Sequence, residues 1–259
     1  MKGVSETPIP ASFKQEAQEA IAQQDAGKLT LLGLEAQGLP WEVAAHALIG
    51  QSGVRSGKTW ERVILFTGHR IDSPQRKTPR FPAAKEPVAR EAIRRALEQQ
   101  PCRSAADVLG VAGGANGGDL LFLESCEELG MATEMALALP PDEFAKASVE
   151  NDDPRWMERF AAQLAKHSDV PILATSEALP EWLKVKENYD LWQRNNLWLM
   201  SEALSHRAQQ RSLIALWDGE AGDGPGGTEH MVSMAKEHGM DVVVLNTKEL
   251  FALASTGAG

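Results

Sequence analysis

Short apolar runs alternate with amphipathic stretches over most of this 259-residue chain, from about residue 60 to residue 250. The apolar runs have the length of buried strands, and the stretches between them carry apolar residues at helical spacing. Strands are predicted over residues 62–66, 107–112, 132–139, 169–174, 212–217 and 241–246. Helices are predicted over residues 84–100, 118–129, 154–166, 180–209 and 227–238.

Residues 1–59 are predicted to be an N-terminal helical extension and linker, and residues 251–259 a flexible tail. Residues 12–26 predict a helix that ends at Gly27, and residues 40–49 predict a second helix. Residues 29–39 are a connector or a further short helix. These pieces are too short to bury a core alone, so we expect them to pack on the main domain or on a protein partner.

The linker contains Gly57-Lys58-Thr59, which resembles the end of a phosphate-binding P-loop. A P-loop follows a strand and opens a helix, whereas this stretch precedes a strand, and Ser52 stands where the first glycine is needed. We therefore do not assign a P-loop here.

The alternation of strands and helices predicts an α/β fold for residues 60–250. We expect a Rossmann-like, doubly wound, mostly parallel sheet with helices on both faces. Ligands of such sheets bind outside the carboxyl ends of the strands, near the point where the strand order reverses. Functional residues are therefore expected in the segments that follow strands.

Three glycine-rich segments follow predicted strands: loop 1 (residues 67–70), loop 2 (residues 113–119) and loop 3 (residues 222–228). Glycine lets the backbone approach a ligand, and N–H groups at a helix start bind anions. All three loops would lie on one sheet edge, which predicts one shared nucleotide pocket. The candidate nucleotide- and phosphate-binding residues are Thr67, Gly68, His69, Arg70, Gly113, Gly114, Asn116, Gly117, Gly118, Asp119, Gly224, Gly226, Gly227 and Thr228.

The charged residues of these loops leave several roles open. Arg70 can bind a phosphate bidentately and His69 can donate to the ligand or act as a general acid, unless both make only local contacts. Asp119 can cap a helix, contact a ribose hydroxyl or hold a metal. No cofactor is required, although Asp218 and Asp223 would suit Mg²⁺ beside a phosphorylated ligand if they do more than form turns.

A tryptophan-rich segment supplies candidate contacts to a base or ribose. Arg194, Asn195 and Asn196 lie in it, and Asp218 follows a later strand. An aromatic ring could stack on a base while an asparagine reads its edge. Tryptophans at helical spacing are more often core residues, but a buried amide needs hydrogen-bond partners, which favours one asparagine facing the pocket.

Bulk composition is typical of a soluble globular protein, with 43% hydrophobic and 24% charged residues. The formal net charge of −10 argues against binding of a nucleic-acid polymer, which requires a basic surface. Cys102 and Cys126 lack metal-ligand spacing and are expected to be reduced thiols. No apolar run approaches the about 18–20 residues of a membrane span, and no signal-peptide pattern is present. We expect a cytoplasmic protein.

The three loops together resemble the SLOG superfamily, a Rossmann-like group that includes the LONELY GUY phosphoribohydrolases and nucleotide-sensing domains. The resemblance covers roughly residues 60–250. More narrowly, residues 194–198 and 216–219 resemble the SLOG-type region found after helical repeats in some bacterial multidomain proteins. The resemblance implies a nucleotide or nucleotide-derived ligand over the strand ends, a role in bacterial signalling and self-association into a homo-oligomer.

The resemblance also implies a catalytic glutamate, but loop 3 departs from the motif that carries it. LONELY GUY enzymes have Pro-Gly-Gly-x-Gly-Thr-x-x-Glu, whereas this loop is two residues shorter and has Met231 at the glutamate position. Glu229 could substitute only in a different backbone register. Asp119 and Glu229 are therefore the two catalytic candidates.

Three functions stay open. The first is binding of a nucleotide or nucleotide-derived signal, as a sensor or sequestering module. The second is N-ribosyl hydrolysis, in which Arg70 anchors the phosphate and Asp119 or Glu229 stabilises an oxocarbenium-like centre. The third is a structural, oligomer-forming role with a vestigial pocket. The absence of glutamate at position 231 favours binding over cleavage.

Overall fold

The computed structural model describes residues 7–50, 54–55, 57–220 and 226–253. Its strands are β1 (Trp60–Gly68), β2 (Val108–Ala112), β3 (Ala132–Met135), β4 (Ala208–Trp217) and β5 (Asp241–Asn246). They form one parallel sheet in the order β3-β2-β1-β4-β5. The chain thus adds two strands on one side of β1 and returns to add two on the other. The predicted α/β, doubly wound fold is confirmed.

Helices flank this sheet in two packed pairs. The helices are α1 (Ala11–Gln23), α2 (Ala26–Ala36), α3 (Glu42–Ile49), α4 (Glu86–Glu98), α5 (Gly118–Glu128), α6 (Pro141–Phe144), α7 (Arg155–Leu164), α8 (Leu191–Ser205), α9 (Thr228–Glu237) and α10 (Thr247–Phe251). Helices α4 and α5 pack on each other and on the sheet, as do α8 and α9. Helix α2 lies on α8, outside the second pair.

The central strands are buried because helices cover them. Every residue of β2 is buried, as are the middle residues of β1 and β4. Strands covered on both faces read as continuous apolar runs, which is why the sequence located them. Phe66 at the end of β1 stacks on Phe122 of α5 with ring centroids 4.7 Å apart, so α5 is fixed directly beside loop 1.

Three helices precede the sheet, and the first of them does not end at Gly27 as predicted. Helix α1 ends at Gln23, because its C-cap residue Gln24 has a φ of 54°. Helix α2 begins at once, because the Asp25 carboxylate accepts the Lys28 N–H at 2.8 Å. Gly27 lies in the first turn of α2, where a Cβ would overlap the Glu202 carboxylate. The glycine therefore permits close approach of α2 to α8.

An aromatic cluster joins the N-terminal helices to residues much later in the chain. The rings of Phe13, Trp41 and Trp182 lie with centroids 4.7 to 5.8 Å apart. Leu183 packs in the same cluster. Helices α1–α3 therefore pack against the sheet-containing part of the same chain.

A buried ion-pair network reinforces this contact. Arg194 of α8 is 2% exposed, with Nε 3.0 Å from Glu35 Oε1 and Nη2 2.6 Å from Glu16 Oε1. The Tyr189 hydroxyl donates to Glu35 at 2.9 Å, and Lys28 Nζ lies 3.0 Å from Glu16. Burial raises the pKa of Glu35 above its ordinary value. Burial also opposes ionisation of Glu16, but Arg194 and Lys28 outweigh it and hold the Glu16 pKa below its usual range.

Two predicted elements at the β3 edge are wrong in extent. Strand β3 ends at Met135, well before residue 139, and residues 169–174 form no strand. A single bridge joins Leu137 to Ile172, and Leu137 N–H donates to the Pro171 carbonyl at 2.9 Å. The Leu173 and Ala174 N–H groups donate to the Leu137 and Ala138 carbonyls at 2.9 and 3.2 Å, but Pro171 has no N–H with which to extend the pairing toward Met135.

The predicted helix over residues 180–209 is also shorter in the structure. Glu181–Leu183 is a single 3₁₀ turn, and Asn188 has a φ of 53°, which interrupts helical continuation. Helix α8 begins after Asp190, whose carboxylate accepts the Gln193 N–H at 2.9 Å while the Gln193 side chain accepts the Asp190 N–H. This capping box fixes the start of α8.

The flexible tail was predicted to begin at residue 251, but this residue still belongs to a helix. Helix α10 was not predicted, and its last residue, Phe251, is 1% exposed and stacks on Phe81 with centroids 5.2 Å apart. Residues 254–259 lie outside the described residues. Among the helices that the structure describes, none combines the length and apolar character needed to cross a membrane.

Replacing Arg194 by alanine leaves Glu16 and Glu35 buried without their shared cation. Removing one partner of a buried pair costs about 3–5 kcal/mol, so Arg194→Ala should lower the free energy of unfolding by about that amount. Urea unfolding measures it. Arg95→Ala, at a side chain that is 68% exposed, is the control and should change stability by less than about 0.5 kcal/mol. Equal effects of the two substitutions would contradict the structural role of Arg194.

Candidate functional site

A cleft of about 720 Å³ lies at the carboxyl ends of β1, β2 and β4. Residues of all three glycine-rich loops line it, so the structure brings the predicted segments together. The predicted site residues on its wall are Thr67, Gly68, His69, Arg70, Gly113, Asn116, Asp119, Asn195, Asn196, Gly226, Gly227 and Thr228. Gly114, Gly117, Gly118, Arg194, Asp218 and Glu229 are not on the wall, and Gly224 and Asp223 lie outside the described residues.

Strand order explains where this cleft forms. Strands β1 and β4 are neighbours, with Thr67 opposite Ala215 and Gly68 opposite Leu216. The His69 N–H donates to the Leu216 carbonyl at 3.0 Å, which extends the pairing by one residue. Beyond His69 the segments that follow β1 and β4 diverge, because the chain continues from β1 toward β2 and from β4 toward β5. The cleft therefore occupies the point at which the strand order reverses.

Loops 1 and 2 interlock through Gly117 and Asn116. Gly117 has a φ of 82°, and a Cβ there would lie 2.8 Å from the Ile71 nitrogen, so only glycine fits without strain. The Asn116 side chain accepts the Ile71 N–H at 3.0 Å and donates to the Val149 carbonyl at 2.9 Å. Asn116 is 3% exposed, and its hydrogen bonds hold the loops together.

Four amides of loop 2, the loop in which the sequence predicts phosphate contacts, donate inside the protein. The Asn116 N–H donates to the Ser148 carbonyl at 3.0 Å, and the Gly118 N–H donates to the His69 carbonyl at 3.1 Å. The amides of Gly114 and Ala115, earlier in the loop, donate to the Asp119 carboxylate. Loop 2 therefore binds a carboxylate of its own chain.

Asp119 is held close to the backbone of loop 2. Its Oδ2 accepts from Gly114 at 3.2 Å and from Ala115 at 3.3 Å. A Cβ on Gly113 would lie 2.6 Å from this oxygen, so the glycine makes room for the carboxylate. Burial raises the Asp119 pKa to about 7, and the two amides and the nearby Arg70 charge offset this only in part. A cleft carboxyl with such a pKa can exchange a proton near neutral pH.

Arg70 brings positive charge to the cleft. Its side chain is exposed, and Nη1 donates to the Ala147 carbonyl at 2.7 Å. Among the residues that the structure describes, no carboxylate lies within ion-pair distance of Arg70. Ala147 belongs to a π-helical turn, Ala145–Val149, whose carbonyls also hold Asn116. This turn therefore fixes Arg70 and loop 2 on one wall.

Asp218 is a buried anchor behind the cleft, which differs from the expected contact to a base or ribose. Its side chain is 5% exposed, and Oδ2 lies 3.3 Å from Arg80 Nε. Its Oδ1 accepts the Glu220 N–H at 3.1 Å, and its own N–H donates to His69 Nε2 at 3.1 Å. Burial lowers the His69 pKa, and the Asp218 charge opposes this only in part.

Loop 3 is pinned to the first turns of α8. Gly226 has a φ of 84°, and a Cβ there would lie 2.7 Å from the Gln193 nitrogen. The Asn196 amide donates to the Gly226 carbonyl at 2.6 Å and to the Gly227 carbonyl at 3.3 Å. Asn196 thus positions loop 3. Asn195 lines the cleft beside it, and its Oδ1 is buried without a partner among the described residues.

The position of Glu229 does not support the catalytic role considered for this residue. It lies in the first turn of α9, is exposed, and does not line the cleft. Acidic residues are favourable at a helix N-terminus, which explains Glu229 there. Met231, at the position of the family glutamate, is fully buried. Of the two catalytic candidates, only Asp119 is in the cleft.

The tryptophans divide between core and cleft. Trp182 and Trp198 are 3% and 1% exposed and belong to the cores, and Arg194 faces α1 and α2 instead of the cleft. Trp192 and Trp217 are half-buried and line the cleft. Nothing in the sequence distinguishes Trp192 from the other tryptophans.

Two further cleft segments were missed. Residues 71–76 extend loop 1, and residues 147–152 contribute most of the wall that faces it. The polar run Glu150-Asn151-Asp152 marks a loop in the sequence, but nothing in its spacing connects it to the three glycine-rich segments. Over the described part of the chain, no group of three or more metal-ligating side chains of His, Cys, Asp or Glu comes together.

Comparison of the chain with protein-family models, with curated proteins and with solved structures found no match. The function must therefore be argued from the cleft.

The raised pKa of Asp119 makes stability depend on pH. An unfolded aspartate has a pKa of about 3.9, so between about pH 4 and pH 7 the folded protein binds the extra proton and loses stability as pH rises. Asp119→Asn removes this titration while keeping an acceptor oxygen. The melting temperature of the variant relative to wild type should rise by about 3 °C or more between pH 4.5 and pH 7.5.

Thermal unfolding at the two pH values measures this difference. Glu229→Gln, at an exposed carboxylate of another helix start, controls for the loss of one negative charge. A difference that stays constant with pH in Asp119→Asn would contradict the raised pKa.

Proposed function

We propose that the protein binds a phosphorylated, nucleotide-like small molecule in the cleft at the carboxyl edge of the sheet. The observation that carries this proposal is the convergence of loops 1, 2 and 3 on one cleft of about 720 Å³ that contains Arg70. Its volume lies within the about 300–1,000 Å³ of small-molecule sites. The proposal includes membership of the SLOG superfamily, which the loop motifs resemble.

The phosphate is expected beside Arg70 and not on loop 2. The Gly114 and Ala115 amides already hold the Asp119 carboxylate, so a phosphate at these two amides would have to displace it. Arg70 keeps most of its donors available to a ligand while the Ala147 carbonyl fixes its position. Charge-assisted hydrogen bonds contribute about 1.5–3 kcal/mol each, and two or three of them supply much of the about 8 kcal/mol of micromolar affinity.

The aromatic part of the ligand is expected against the tryptophan walls. Trp192 and Trp217 both line the cleft and keep part of their surface exposed. Stacking of a base on an aromatic ring contributes about 1–3 kcal/mol. A cleft with a cation on one wall and aromatic rings on others fits a ligand with both a phosphate and a base.

The proposal includes a cytoplasmic role as a sensor or sequestering module. Cys102 and Cys126 are both free thiols, which suits a reducing compartment.

Removal of the Arg70 guanidinium should weaken binding of phosphorylated ligands selectively. Calorimetry with a panel of nucleoside mono-, di- and triphosphates, cyclic nucleotides and ADP-ribose species should find a ligand with micromolar affinity. Arg70→Ala should weaken that ligand by about tenfold or more, whereas the matching nucleoside should bind both proteins equally.

Arg103→Ala is the matched control, because the Arg103 side chain is 86% exposed and precedes β2 at the opposite edge of the sheet. It should leave affinity unchanged. Absence of binding across the panel, or equal losses in the two variants, would contradict the proposal.

A second candidate function, N-ribosyl hydrolysis, is favoured by one observation. Asp119 lies in the cleft near the charge of Arg70, and burial raises its pKa to about 7. A carboxylate so placed could stabilise the oxocarbenium-like centre that forms when an N-glycosidic bond breaks. In this reaction water adds to the ribose carbon, and the base leaves with a proton.

For a hydrolase, incubation with nucleoside monophosphates should release free base, as chromatography and mass spectrometry would show. The rate should rise with pH through about 7, because the ionised form of Asp119 is required. Asp119→Asn should lower the rate about 100-fold or more, and Glu229→Gln should not change it. Intact nucleotide after incubation with wild type would exclude this second function and leave the binding proposal standing.

A further inference from the structure

The hydrogen bonds around His69 define which ring nitrogen carries the proton. The Asp218 N–H donates to Nε2 at 3.1 Å, and no other acceptor for this N–H lies among the described residues. Asp218 Oδ1 is 3.2 Å from the same nitrogen, but among the described residues only the Asp218 N–H meets Nε2 with hydrogen-bond geometry, while Oδ1 accepts the Glu220 N–H at 3.1 Å. A buried backbone N–H requires an acceptor, so Nε2 is the acceptor and the proton is on Nδ1.

The imidazole stays neutral in this environment. His69 is buried apart from its cleft-facing surface, and burial lowers its pKa. The Arg80 charge also lowers this pKa, whereas Asp218 and Asp72 raise it by less than burial lowers it. A neutral imidazole has one donor and one acceptor. Because Nε2 accepts from Asp218, the donor is Nδ1.

That donor is available to the cleft. His69 lines the cleft, and none of the residues that the structure describes bonds to Nδ1. Arg70 follows directly in the chain and lines the same cleft, with its guanidinium held by the Ala147 carbonyl. Loop 1 thus presents a neutral N–H donor and a cation side by side.

We propose that His69 positions the phosphate of the ligand beside Arg70 by donating a hydrogen bond from Nδ1 while Asp218 holds Nε2. The inference rests on the proposed function, and it adds the atom that makes the contact and the reason for its orientation. Asp218 is thereby a positioning residue, which acts on the ligand through His69.

Nuclear magnetic resonance of uniformly ¹⁵N-labelled protein tests the inference in two steps. In the unliganded protein at pH 7, the two-bond ¹H–¹⁵N pattern should show His69 as the neutral Nδ1–H tautomer. Inorganic phosphate, added to about 50 mM because a lone phosphate binds weakly, should then shift the Nδ1 resonance of His69. The exposed His238 is the internal control and should not shift.

The outcomes separate this inference from the function on which it rests. An Nε2–H tautomer, or a shifted Arg70 amide with an unmoved His69 Nδ1, would overturn the inference alone. Absence of any shift in the cleft would count against the proposed function, and the inference would fall with it.

Two substitutions of His69 separate ligand contact from structural support. An asparagine amide reaches the place of Nδ1, and a glutamine amide reaches the place of Nε2. His69→Asn should keep phosphate affinity within about threefold although it loses the Asp218 contact, whereas His69→Gln should lose about tenfold although it keeps that contact. The reverse order, with the larger loss in His69→Asn, would show a purely structural role and overturn the inference.

Discussion

The pairing of β1 with β4 is the constraint on which the cleft depends. These strands are far apart in the sequence, yet they lie side by side in parallel through Gly68 and Leu216. Because the chain leaves β1 toward β2 and leaves β4 toward β5, the loops after them diverge and open a space between them. The same pairing places His69 one residue beyond the ladder, against Asp218 at the end of β4. A slip in this register would separate all the groups that we assign to the ligand.

Around this opening, three polar side chains are hydrogen-bonded within the protein. Asn116 joins loop 1 to the π-helical turn, Asn196 holds loop 3, and Asp119 takes the amides of loop 2. Such internal bonds satisfy buried donors and acceptors, and they make the walls rigid. The groups of the cleft wall that we assign to the ligand are the Arg70 guanidinium, one face of His69, and the surfaces of Trp192 and Trp217. Rigid walls favour binding at low entropic cost.

Apolar runs predicted the three central strands because helices cover them, and strand–helix alternation was enough to predict the doubly wound sheet. The strands predicted over residues 132–139 and 169–174 are too long, because Pro171 removes a ladder donor and an apolar run does not reveal this loss. Residues 67–70 and 113–119 were found from glycine after a strand. The structural role of those glycines could not be found from the sequence. Gly113 makes room for Asp119 and Gly117 makes room for Ile71, and both contacts depend on tertiary packing. Arg194 was misassigned because its partners, Glu16 and Glu35, are more than 150 residues away.

Native mass spectrometry of the protein incubated with a pooled set of nucleotides tests the central claim most directly. We expect one discrete mass increment per chain, equal to an unmodified phosphorylated nucleoside or a nucleotide-derived molecule that contains phosphate. Only the unliganded mass across the whole pool would contradict it, as would increments from molecules that lack phosphate.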